Sequence, residues 1–319
     1  MFPFAKRIVS IIKTKYSTNS VKLNPNFVTG FSDAESCFQL VISKNLKYTL
    51  GWSVKLVFSI HLHSKDISIL YKIQEFFGVG SVTINKDTAD YHVISLTDLL
   101  CIINHFENFP LKTKKYIDFL LFKMAYDIIS KKEHLIDLQK LVNIRASLNK
   151  GLSEQLAIAF PNTIPIVKPK VNNIILTKQD NNISDINYWI AGFVTGEGCF
   201  FVKTSKSKTH KLGISVTLNF IVVQNTRDTE LINSLKSILN CGSITINEKS
   251  SIVRYTVTNL GAILEHIIPI FDKYPILGEK YKDFQDFKKV SEIMAVKGHL
   301  TSEGLEKVLS IKSRMNFKR

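Results

Sequence analysis

No stretch of the 319-residue chain reaches the roughly 18 uninterrupted apolar residues that a membrane-spanning helix needs. Even the most apolar run, IDFLLFKMAYDII, is broken by Asp118, Lys123 and Asp127. Cysteine is scarce. Cys37, Cys101, Cys199 and Cys241 are the only four, and they have neither the C-x-x-C spacing of a zinc site nor the density of a disulfide-stapled secreted domain. This argues against both and favours a reducing compartment. Acid is also in short supply: 27 Asp and Glu stand against 42 Lys and Arg, a net charge of +15. Such an excess suits a polyanionic partner, with nucleic acid the leading candidate. No acidic residue precedes Asp33, whereas Lys6, Arg7, Lys13, Lys15 and Lys22 do. Residues 1–23 therefore resemble a mitochondrial targeting peptide, with a basic arm or a fusion remnant as alternatives.

What the chain does have, it has twice. FVTGFSDAESCF (27–38) is matched by WIAGFVTGEGCF (189–200), which places Glu197 162 residues after Glu35. The same offset relates FGVGSVTIN (77–85) to LNCGSITIN (239–247), and Phe58, Lys65 and Asp66 to Phe220, Arg227 and Asp228. Further on, FPLKTKKYIDF (109–119) answers YPILGEKYKDF (274–284) with an offset of 165 between Lys115 and Lys280, a shift that a loop absorbs. Self-similarity of this kind means two copies of one structural unit. We expect a first unit over 24–150, a second over 185–319 and a linker over 151–184, within which residues 159–184 hold three prolines, many asparagines and no helical period.

Each copy carries the pattern αββαββα, an α+β architecture. Phe38, Leu40, Ile42, Trp52, Val54, Leu56 and Phe58 alternate with Gln39, Ser43, Ser53, Lys55 and Ser59. In the second copy Phe200, Val202, Ile214, Val216, Leu218 and Phe220 alternate with Lys203, Ser205, Ser215, Thr217 and Asn219. A period of two with one apolar row predicts sheets packed on helices by one face and free to meet a polar ligand with the other.

The stretch before each first strand reads as the end of a helix. Gly30 and Ala34, like Gly192 and Gly196, stand four apart on one helix face, where small side chains let two backbones approach closely. Two such helices, one per copy, would pack on each other across a pseudo-twofold axis. Their last residues, Glu35 and Glu197, would then be neighbours at the negative ends of two helix dipoles. Repulsion there would be relieved by a divalent cation with oxygen ligands.

These residues, VTGFSDAES (28–36) and IAGFVTGEG (190–198), resemble the paired signature of double-motif LAGLIDADG homing endonucleases, of the type carried by fungal mitochondrial introns. The resemblance covers nearly the whole chain. It implies a monomer with two four-stranded antiparallel saddle sheets astride double-stranded DNA. It also implies one centre for Mg²⁺-dependent strand cleavage, with two or three ions and Mn²⁺ or Ca²⁺ as substitutes. The metal-binding acids of the signature map onto Glu35 and Glu197. Asp33 fills an earlier acidic place, but Thr195 stands there in the second copy, which favours a structural hydrogen bond for Asp33. Lys115 and Lys280 resemble the basic active-site residues of the family, against the plainer reading of solvated helix starts. Gln224 would touch a water near the metals, asymmetrically, since Leu62 holds the matching position.

The expected DNA face comprises Gln39, Ser43, Lys55, Ser59, Lys203, Ser205, Thr217 and Asn219 on the strands, with Arg227 beside them. Lys44, Lys47, Lys206, Lys208 and Lys211 are expected in the strand-joining loops as phosphate contacts. Strands of about 10 residues at roughly 3.3 Å each cover about 10 base pairs per copy, hence a target near 20 base pairs. His61 and His63 alternate on a strand with no third donor, so no zinc is assigned. Two other readings stay open: an RNA maturase that assists intron splicing on the same fold, and a catalytically inactive DNA-binding relative. No protein partner or membrane is implied.

Overall fold

Residues 22–171 and 182–316 are described in the computed structural model of the chain. The expected N-terminal extension lies almost wholly outside them, as does part of the expected linker. The first unit runs α1 (Pro25–Glu35), β1 (Ser36–Lys44), β2 (Trp52–His63), α2 (Ile67–Phe77), β3 (Ser81–Asn85), β4 (Thr88–Val93), α3 (Leu96–Asn108), α4 (Lys115–Ser130), α5 (Gln139–Ser147) and α6 (Glu154–Ala159). The second runs α7 (Ile183–Glu197), β5 (Gly198–Lys206), β6 (Ile214–Asn225), α8 (Thr229–Leu239), β7 (Ser243–Asn247), β8 (Ile252–Val257), then α9 over residues 260–273, α10 (Glu279–Ala295) and α11 (Ser302–Ser313). A π-turn at Ile263–Ile267 interrupts α9.

Each unit builds one antiparallel four-stranded sheet, in the orders β1-β2-β4-β3 and β5-β6-β8-β7. The register decides which side chains share a face. Phe38 lies opposite Phe58 and Leu40 opposite Leu56, while Gln39, Ser43, Lys55 and Ser59 fall on the other row. The second sheet repeats this with Phe200 opposite Phe220, and Lys203 opposite Thr217. The apolar rows pack on the helices through a phenylalanine cluster that is itself duplicated. Phe38 meets Phe58, Phe106, Phe119 and Phe122 with ring centroids 5.2–5.6 Å apart. Phe200 meets Phe220, Phe271, Phe284 and Phe287 at 4.9–5.6 Å. Rings at this spacing contribute edge-to-face attraction beyond the area they bury.

The two units meet along α1 and α7. Asn24 caps α1 and Pro25 starts it, a pairing suited to a helix start. A Cβ on Gly30 would overlap the carbonyl oxygen of Trp189, and one on Gly192 would overlap that of Phe27. Glycine at both places is therefore what permits the close crossing.

The expected linker needs correction. It contains a helix, α6, and the chain after it is pinned to the first unit: Phe160 packs on Trp52 with ring centroids 5.3 Å apart. Ile166 then donates to the Asn143 carbonyl at 3.3 Å and accepts from Ser147 Oγ at 2.7 Å. A six-residue helix is too short to display a period in sequence. Helix α7 also begins two residues before the expected boundary, at Ile183.

Candidate active site

Both signature helices end on a glutamate, α1 at Glu35 and α7 at Glu197. The crossing brings these ends together. A Cβ on Gly196 would overlap that of Ala34 and lie 2.9 Å from Glu35 Oε1, so the missing side chain at 196 leaves the space that Ala34 and the Glu35 side chain fill. Burial pushes both carboxyl pKa values up; at Glu197 the charge of Glu35 adds to the rise, while a hydrogen bond from Gln224 works against it. Gln224 thus sits beside Glu197 near the end of β6, and Leu62, its counterpart in the first unit, has no polar side chain to do the same.

The glutamate pair is flanked by two lysines. Lys115, the first residue of α4, donates from Nζ to the carbonyls of Ser32 at 2.9 Å and Ala34 at 3.4 Å. Lys280, in the first turn of α10, donates to the carbonyl of Gly196. Neither is a solvated helix start. Each donates to carbonyls of the last turn of a signature helix and so puts its positive charge at the negative dipole end. Burial lowers the pKa of both ammonium groups, and the neighbouring carboxylates, Asp33 and Glu35 first at Lys115 and Glu35 first at Lys280, oppose that shift. Two open hollows lie at the ends of the signature helices, one reached by Glu35 and Lys280 and the other by Lys115. One, of about 450 Å³, is lined by Glu35, His61, His63, Asp66 and Lys280. The other, of about 700 Å³, is lined by Cys37, Gln39, Lys115, Arg145, Lys150 and Arg227.

Asp33 borders this cluster through Lys115 but is engaged elsewhere. It is 3% exposed and accepts hydrogen bonds from the Lys112 and Thr113 N–H groups, Thr113 Oγ1 and, across the unit boundary, Trp189 Nε1, at 2.6–3.0 Å. Thr195 does a smaller version of the same work, accepting from the Leu277 N–H at 3.2 Å. Among the described residues no group of three or more His, Cys, Asp or Glu side chains could hold a metal.

A family model described as LAGLIDADG endonuclease matches residues 28–126 and 190–291. The chain belongs to the LAGLIDADG endonuclease family. Probable intron-encoded endonuclease 2 of Neurospora crassa is 38% identical over 92% of this chain and 65% of its own length. Probable intron-encoded endonuclease 3 of that fungus is 36% identical over 93% of this chain and 55% of its own. The chain thus spans between about half and two thirds of these relatives. The solved I-SmaMI LAGLIDADG homing endonuclease bound to cleaved DNA matches with a TM-score of 0.88 at 40% identity, over 93% of this chain and 98% of its own. The same enzyme has been solved on an uncleaved DNA target in the presence of calcium ions.

In this LAGLIDADG chain the outer sheet rows hold Gln39, Ser43, Lys55 and Ser59 in one unit and Lys203, Ser205, Thr217 and Asn219 in the other. Several are already engaged: Gln39 donates to Ser59 at 3.1 Å and Ser43 pairs with Ser53 at 2.8 Å. Asn219 is only 7% exposed and donates to the Thr217 carbonyl, so its face was legible but its accessibility was not. Lys47, Lys208 and Lys211 lie exposed in the strand-joining loops. Lys44 and Lys206 are exposed too, but as the last residues of β1 and β5, where pairing with Trp52 and Ile214 puts them on the same row as Phe38 and Phe200. The strands run one residue further than the change in composition suggests. Arg227 follows β6 and donates to Asp228 at 3.4 Å.

Sequence reading passed over Arg254, exposed on the outer row opposite Val223 and Thr245, and the His61–Asp90 pair at 2.7 Å on the outer row of the first sheet. A signal existed for Arg254: the short runs 243–247 and 252–257 alternate about buried Tyr255 as strictly as the long strands do.

Proposed function

We propose that the chain is a monomeric, site-specific homing endonuclease that makes a staggered double-strand break in a DNA target of about 20 base pairs. One observation carries the reading: two glutamates, one from each unit, are brought together at Gly196, each beside a partly buried lysine. The donors here fit Mg²⁺, two or three ions shared by Glu35 and Glu197. All are hard oxygens, and two carboxylates leave places for phosphate and water, as that ion favours. Bound there, divalent ions would supply an activated water, charge neutralisation and leaving-group stabilisation; Mn²⁺ or Ca²⁺ could substitute in binding.

The chain's own residues do the rest. The outer sheet rows and loop lysines orient the duplex over the helix ends. Lys115 and Lys280 hold positive charge beside the two hollows, one for each strand, where negative charge on the phosphorane develops. Gln224 fixes Glu197 and is placed to orient a water. The unit boundaries near 150 and 185, with the tethered linker between them, follow from the same reading. An intron-encoded origin, as its relatives' names have it, supports a mitochondrial address.

Incubating the purified chain and Mg²⁺ with a duplex spanning the intron-less junction of its host gene tests the proposal. Two staggered cuts at one position are the expected result. Tight binding without cutting, or binding confined to intron RNA, would overturn it in favour of an inactive relative or a splicing factor.

A further inference from the structure

Asp66 and Asp228 hold the same place in the repeat, 162 residues apart, immediately before α2 and α8. An aspartate there ordinarily caps its own helix. Neither does. Each reaches instead into the other unit. Asp66 Oδ1 accepts from the backbone N–H of Glu279 at 2.7 Å, at the first residue of α10. Asp228 Oδ1 accepts from the backbone N–H of Lys114 at 2.7 Å, at the start of α4. Neither α4 nor α10 has a side-chain cap from its own N-cap residue, so the borrowed carboxylates supply what these helix starts lack. The fit is close on both sides. Gly278, with φ of 74°, leaves no room for a Cβ against the Asp66 carboxylate. Asp228 is 4% exposed and its second oxygen accepts from Arg227.

In each unit the residue after the capped N–H is the active-site lysine: Lys280 follows Glu279, and Lys115 follows Lys114. We propose that Asp66 and Asp228 are positioning residues for Lys280 and Lys115, each unit setting the lysine of the other. This rests on the endonuclease reading of the site for its catalytic consequence, though not for the geometry. A cut on either strand then requires both units to be correctly docked, because the wall of each hollow is tied across the boundary: Asp66 lines the Lys280 hollow and Arg227 the Lys115 hollow.

Asp→Ala and Asp→Asn variants of the full chain, with two readouts, test this. The first needs no nuclease activity: reductive methylation of the folded protein with labelled formaldehyde, followed by mass spectrometry of Lys115 and Lys280. Asp66→Ala should raise the reaction rate of Lys280 roughly fivefold and leave Lys115 within a factor of about two, with Asp228→Ala doing the reverse. Asn retains an oxygen for the same N–H without the charge, so both Asn variants should stay near the parent rate. Equal response of both lysines in each Ala variant would mean general loosening and would overturn the proposal. So would Asn variants as reactive as Ala variants, since charge alone would then be at work. Should an Ala variant fail to fold, Glu279→Pro removes the donor at a position where proline is favoured, and it should reproduce the Asp66→Ala pattern. The second readout is plasmid cleavage: Asp66→Ala and Asp228→Ala should each slow one strand's cut about tenfold, accumulating nicked circles cut in opposite strands. A parent chain that cuts nothing would sink the endonuclease reading, while the methylation pattern would still decide the positioning claim.

Discussion

A carboxylate on the last residue of a helix faces the negative end of the dipole, and Glu35 and Glu197 do so side by side and half-buried. Their raised pKa values make the pair a source of instability in the protein without metal. The sign follows from proton binding. The folded state holds these protons to higher pH than the unfolded state does, so stability falls as pH rises from the ordinary glutamate range through the folded pKa values. Glu35→Gln and Glu197→Gln should therefore melt higher than the parent at neutral pH in EDTA, with the gap closing near pH 4; Mg²⁺ should raise the melting temperature of the parent more than that of either variant. The same variants should bind target DNA and fail to cut it, losing at least about a hundredfold in rate. Normal cutting by both would remove these residues from the metal-binding role. Asp33→Asn belongs to another class, because its amide would face four donors. It should cost roughly 1–3 kcal/mol in urea unfolding while sparing cleavage far more than either glutamate change does.

At the scale of elements, the turn from signature helix to strand is solved in two ways. Ser36 exits α1 with φ of −82° and Gly198 exits α7 with φ of −76°, both extended, so conformational freedom is not why glycine is there. The reason is Val194: a Cβ on Gly198 would lie 2.5 Å from its Cγ1. Its counterpart Ser32 is small, and Ser36 Oγ uses the space to donate to the Ser32 carbonyl at 2.7 Å. Gly198→Ser alone should thus destabilise by about 1–3 kcal/mol through overpacking, and adding Val194→Ser should recover part of the loss. A double-mutant cycle with no coupling would refute this pairing. The repeat, the sheet faces and the glutamate pair were legible because each rests on a period of two, four or 162 that can be counted. The role of Asp33 was legible in kind, not in extent, since Trp189 reaches it across 156 positions. The exchanged caps of Asp66 and Asp228 were visible only as repeated letters, because a hydrogen bond spanning 213 or 114 positions leaves no local pattern. Helix α6 was missed for its brevity, and Lys44 and Lys206 because strands end by pairing and not by composition.

For the whole molecule, the +15 charge has to be disposed so that a neutral helix core and a basic sheet face coexist. Lys55 and Lys203 lie on the outer rows and Lys47, Lys208 and Lys211 in the loops at their ends, while Arg145 and Lys150 line the hollow beside Lys115. Cations spread over both units in this way should contact phosphates along the length of a duplex and not at one point. Each phosphate neutralised by such a cation releases counterions and adds about −0.9 to the slope of log K against log salt. If on the order of six phosphates are engaged, the slope should be near −5, measured by titrating a labelled duplex with the protein in Ca²⁺ so that cutting does not interfere. Individual substitutions then separate two kinds of contact. Lys208→Ala should weaken binding to every duplex about equally and make the slope shallower by about one. Arg254→Ala, on the outer row of the second sheet, should instead cost about 1–3 kcal/mol on the cognate duplex and relax base preference at one position, because a guanidinium in the major groove reads base edges. A flat salt response, or an Arg254→Ala variant that weakens all duplexes alike, would show that the saddle's charge is solvated surface and not a DNA-binding face.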